Sequence, residues 1–156
     1  MKKVIVVLFF GIITMGTAKA QSTVSKSRKR CNIDKQNVAI QGYDPVSYFI
    51  DETPTKGEIK YAYNYNGVQY HFSSMHNRKE FVANPAKYEP AYGGWCAYAM
   101  GLKGEKVKID PKTYKIVKGK LNLFYNFGFT NTLKPWNKNE EKLVKQASVN
   151  WNKTTQ

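Results

Sequence analysis

Apolar and polar positions alternate most regularly on either side of Asn66-Gly67. This dipeptide favours a two-residue type I′ turn, because both of its positions need a positive φ. Folding there sets Tyr65 opposite Val68, Asn64 opposite Gln69, Tyr63 opposite Tyr70, Ala62 opposite His71 and Tyr61 opposite Phe72. Side chains in strands point alternately to the two faces. Tyr61, Tyr63, Tyr65, Val68, Tyr70 and Phe72 therefore share one face, which reads as core, and His71 points the other way.

The period changes after this hairpin. Ser73 or Ser74 can cap a helix whose apolar positions are Met75, Phe81 and Val82. Asn84-Pro85 ends it and can start another turn. In Ala91–Met100, helical spacing would put Tyr92, Cys96 and Met100 on one stripe, with Gly101 as the stop. Upstream, Val38-Ala39-Ile40 reads as a strand, and Asp44-Pro45 as the cap and first residue of a short helix. Downstream, residues 107–109, 114–117 and 121–125 read as strands, with a turn at Asp110–Thr113 and a bend at Gly119-Lys120. Trp136, Leu143, Val144, Ala147 and Trp151 then mark one face of a closing helix. The pattern predicts an α+β domain over 37–152, with an antiparallel sheet of about five strands packed against several helices.

The first twenty residues follow a different pattern. Lys2-Lys3, an apolar run from Val4 to Thr14 and Ala18-Lys19-Ala20 make an export signal that is too short to span a membrane comfortably. The expected location is periplasmic or secreted, with no transmembrane anchor after cleavage. Residues 21–36 are polar and basic and read as a flexible arm. The chain carries a formal net charge of +14. Export and the scatter of the lysines argue against nucleic acid as the partner. A weak attraction to anionic surfaces or to an envelope protein remains.

Four motifs carry a family resemblance. They are Val38–Phe49, Tyr70-His71-Phe72-Ser73-Ser74, Asn84–Tyr88 and Gly93-Gly94-Trp95-Cys96-Ala97-Tyr98. In this order they resemble the exported bacterial proteins that contain a YHS domain, and the resemblance runs over about residues 38 to 151. It implies a heavy-metal-binding or metal-handling module. Some exported members carry selenocysteine where Cys96 stands, which implies that a soft, nucleophilic atom is wanted there. Related cysteine modules place metal thiolates just after the Tyr-x-Phe strand, where this chain has Ser73 and Asn77. A cysteine-rich zinc site is therefore not available.

Cys96 is the residue on which most chemistry can be built. Thiolate and thioether are soft donors that suit monovalent copper. Cys96 with Met100 one turn on, and with the imidazole of His71, would make a three-ligand copper site, with His76 as a substitute. Asp44 could orient one of the histidines, although capping already explains it. A second reading makes Cys96 a redox thiol resolved by Cys31, and two cysteines in an exported chain allow one disulfide. A third gives the eleven tyrosines a small ligand to hold, in a pocket lined by Tyr70, Trp95, Tyr92, Tyr43 and Asp44. Phosphate loops, a CxxC pair, a metalloprotease helix motif and a serine nucleophile elbow are all missing from the sequence, so a non-enzymatic role leads.

Overall fold

A computed structural model describes residues 29–154. The export signal and the first part of the expected arm lie outside the described residues. From Arg30 the rest of the arm packs on the domain. The Asn32 N–H donates to Gly93 O at 2.8 Å, and its side-chain amide donates to Gly94 O at 3.0 Å.

The fold is α+β. Its elements are α1 (Ser47–Ile50), β1 (Glu58–Tyr65), β2 (Val68–Phe72), α2 (Met75–Ala83), α3 (Pro85–Tyr88) and α4 (Ala97–Lys103). They are followed by β3 (Asp110–Val117), β4 (Lys120–Phe124), β5 (Asn126–Phe127), β6 (Thr130–Asn131), α5 (Leu133–Lys138) and α6 (Glu140–Lys153). The strands do not join into one five-stranded sheet. They form three separate antiparallel hairpins, β1-β2, β3-β4 and β5-β6. Both longer hairpins are irregular away from their turns, and residues 107–109 form no strand.

The first hairpin keeps the expected register for Tyr65 with Val68, Asn64 with Gln69 and Tyr63 with Tyr70. Further from the turn it slips, and Phe72 faces Glu58 rather than Tyr61. Gly57 explains the slip. It lies so close to His71 that a Cβ would sit 2.4 Å from the His71 carbonyl carbon, and its N–H is tied to Gly42 O. The entry to β1 is pinned beside the end of β2, and the residues between must bulge. Val68, Tyr70 and Phe72 are buried, with Phe81 of α2 packed on Tyr70 and Phe72.

The expected helix through Ala91–Met100 is broken. Ala91–Gly94 is a 3-10 turn in which Tyr92 and Gly93 have φ of 54° and 61°, and α4 begins only after Cys96. Tyr92 therefore leaves the stripe it was expected to share with Cys96 and Met100. Gly101 does not stop the helix, since the left-handed cap is Gly104. Gly101 instead lets α4 meet α6 closely, and a Cβ there would lie 2.8 Å from Leu143 O.

Asp110–Thr113 is the irregular start of β3 rather than a hairpin turn, and Asp110 still accepts from the Lys112 N–H and the Thr113 hydroxyl. The turn itself is Lys118-Gly119, at φ of 49° and 72°. The closing helix is two helices that meet at Asn139. Trp136, Leu143 and Ala147 are buried there as the periodicity predicts. The main core joins Val46, Tyr48, Phe72, Phe81, Tyr88, Ile109, Leu121 and Leu123. A smaller one joins Ala97, Phe124, Trp136 and Leu143. No helix among the described residues is long and apolar enough to cross a membrane.

Candidate functional site

The turn Gly42–Pro45 brings Asp44 under the end of β2. Its carboxylate is fully buried and accepts four hydrogen bonds. One oxygen takes the Val46 N–H at 2.8 Å. The other takes the Ser73 N–H at 2.8 Å, the Ser73 hydroxyl at 2.7 Å and the Asn77 amide at 2.7 Å. Asp44 thus ties three segments together and is sealed from the surface. Ser73 and Asn77 are both engaged with it.

The proposed copper ligands differ in exposure. Cys96 has no exposed surface, and its sulfur lies 3.4 Å from the Thr132 hydroxyl and 3.4 Å from the Tyr125 N–H, which donates to it. It borders a surface cavity of about 240 Å³ formed with Tyr98, Leu102, Lys103, Val107 and Tyr125. Met100 is fully buried and lines neither this cavity nor the larger cleft described below. His71 lies over Gly42, with its Nε2 3.2 Å from the Gln69 amide, and half-burial lowers its pKa. His76 is exposed on α2. Among the described residues, no three His, Cys, Asp or Glu side chains gather to hold a metal ion. Cys31 and Cys96 are both free and border different cavities.

A second cavity is an open cleft of about 570 Å³. The tips of the two long hairpins form its lips, α3 and the turn after it form its floor, and α6 closes it. Of the five predicted lining residues it includes Tyr70 and Tyr92, and Trp95, Tyr43 and Asp44 are absent from it. Trp95 spends its indole N–H on Arg30 O at 2.7 Å, and Tyr43 packs under the Lys56 ammonium. Tyr65, Trp151, Cys31, Arg30, Lys118 and Glu89 take their places. Gly93 makes this assembly possible, since a Cβ there would lie 2.9 Å from the Trp151 ring and 3.2 Å from both Arg30 O and Cys31 Cα.

Glu89 is the group that sequence reasoning missed. The buried Tyr70 hydroxyl donates to its Oε1 at 3.1 Å. Burial raises the Glu89 pKa above its ordinary value, while the Tyr70 hydrogen bond and Lys120 lower it. The Cys31 thiol is pushed up to about 11, first by burial and then by the Glu89 carboxylate. A signal was present in the chain, because Glu89 is the only acid between Glu80 and Glu105, in a stretch rich in tyrosine.

The fold is a small α+β domain built around an aromatic hairpin, with an open cleft between its two long hairpins and α6. The YHS domain family model matches residues 46–92 of the chain. No curated protein and no solved structure matches the chain. The matched segment holds Tyr70, His71, His76, Glu89 and Tyr92 and stops short of Cys96 and Met100. Cys96 and Met100 are neighbours along the start of α4, where the Met100 N–H donates to Cys96 O at 3.0 Å, and among the described residues no group of three His, Cys, Asp or Glu side chains surrounds them.

Proposed function

We propose that this YHS domain is a non-catalytic binding module whose site is the cleft between the two long hairpins and α6. The observation that carries this reading is Glu89, a carboxylate with one hydrogen-bond donor from the protein, set in a cleft walled by Tyr65, Tyr92 and Trp151. Such a mixture of aromatic walls and a few convergent polar groups is what small-molecule sites present. The leader-like residues 1–20 are the support for placing the module in the periplasm or outside the cell. Ligand-observed NMR with a fragment collection tests the reading. Hits should bind the wild-type protein and be lost in Trp151→Leu and Glu89→Ala variants that keep their thermal midpoint. Hits retained equally by both variants would end it.

A metal-handling role for Cys96, with copper(I) as the favoured ion, has its own support in the sulfur's position beside the smaller cavity. One thiol gives a transient contact rather than a chelate. Anaerobic copper(I) titration of wild type and Cys96→Ser separates the cases. A site lost in the variant supports the role, and equal weak binding removes it. A redox pair with Cys31 has less support, since its thiolate is scarce at neutral pH.

A further inference from the structure

Resting on the cleft reading above, we propose that the ligand is a small planar organic anion, an aromatic carboxylate with a hydroxyl at its far end. Three cations line the cleft, Arg30, Lys118 and Lys120, against the single acid Glu89. The net charge of +14 adds a long-range attraction for anions. Arg30 is also held in place. The Arg30 guanidinium lies 5.0 Å from the centre of the Trp151 ring, and its backbone carbonyl is fixed by the Trp95 indole.

This contact also argues against an amine as the ligand. Aromatic walls beside a carboxylate would otherwise suit a cation. Here the protein's own guanidinium already covers the Trp151 ring, and a ligand carboxylate can pair with that guanidinium from the cleft.

Lys118 supplies the second argument. It occupies the first position of a tight hairpin turn at φ 49°, with Gly119 at 72°. The other hairpin fills the matching positions with Asn66 and Gly67, at 51° and 79°. Asparagine suits that left-handed backbone and lysine does not. A lysine kept in an unfavourable conformation on the lip of a cleft points to a use for its ammonium.

Glu89 sets the other end of the ligand. Tyr70 occupies Oε1, and Oε2 has no hydrogen bond among the described residues and is not sealed. It can accept from a ligand hydroxyl. The aromatic ring then spans from Glu89 to the cationic lip between Tyr65, Tyr92 and Trp151.

Fluorescence and NMR titration with 4-hydroxycinnamate, 4-vinylphenol and tyramine tests this. The carboxylate should bind tightest, and its affinity should fall with added NaCl. Lys118→Asn, which fits the turn, should weaken it roughly tenfold, the weight of one charge-assisted contact, with an equal or higher thermal midpoint. Arg30→Gln should weaken it similarly. Equal binding of 4-vinylphenol, or tighter binding of tyramine, overturns the anion and leaves the cleft as a site. Binding by none of the three also overturns it. Fragment hits that then map outside the cleft would remove the cleft reading as well.

Discussion

Asp44 and Glu89 are both acids drawn into the protein, and they are treated in opposite ways. Asp44 is fully buried, holds four donors from three segments and has no path to the surface. Glu89 holds one donor and faces an open cleft. A buried carboxylate that is saturated by neutral donors serves architecture, since each donor it satisfies would otherwise be stranded. A carboxylate left with an unused oxygen beside a cavity is available for recognition. The contrast separates the two roles within one short domain.

The comparison breaks first at Asp44. Asp44→Ala strands the Val46 and Ser73 N–H groups and the Asn77 amide, and should cost on the order of 3 kcal/mol in urea denaturation. Glu89→Ala should cost under about 1 kcal/mol by the same measurement. Equal losses would mean that the two acids share a structural role.

A smaller effect sharpens the contrast through pH. Burial raises the Glu89 pKa above its ordinary 4.5, so the folded protein holds that proton more firmly than the unfolded chain. The contribution of Glu89 to stability is therefore full below pH 4.5 and is lost as pH rises through the folded value. Glutamine cannot lose a proton. The urea midpoint of wild type relative to Glu89→Gln should fall across that window, and a difference independent of pH would place Glu89 in water-like surroundings.

The smallest effect is read at Cys31. Its thiol is pushed up to about 11 by burial and then by Glu89. Iodoacetamide should alkylate it slowly at neutral pH in a Cys96→Ser background, and Glu89→Gln should quicken the reaction by removing the nearby negative charge. An unchanged rate would show that the carboxylate does not act on the thiol.

What was legible in the chain was local. Asn66-Gly67 fixes its own turn, and three residue pairs beyond it follow from period two. The burial of Trp136, Leu143 and Ala147 follows from helical spacing. The slip of the first hairpin away from its turn is set by the contact of Gly57 with His71, which period two does not encode. The expected helix across Ala91–Met100 fails because Tyr92, a residue that rarely takes positive φ, does so between Pro90 and Gly93. The site was harder still to foresee. Its walls come from Arg30, Tyr70, Glu89, Lys118 and Trp151, which only the finished fold assembles. Motif spacing pointed to Cys96, whereas the large cleft gathers around an acid that belongs to none of the quoted motifs.

Gly93, with Arg30, Cys31 and Trp151 packed on its bare Cα, has one more consequence. The start and finish of the described chain are neighbours in space, and they meet at the mouth of the cleft. A short peptide joining them should permit circular permutation, with new termini opened in an exposed loop such as residues 51–54. Purification tags joined directly to either end of the described residues would lie beside the opening, so ligand assays are best run on permuted or tag-free protein.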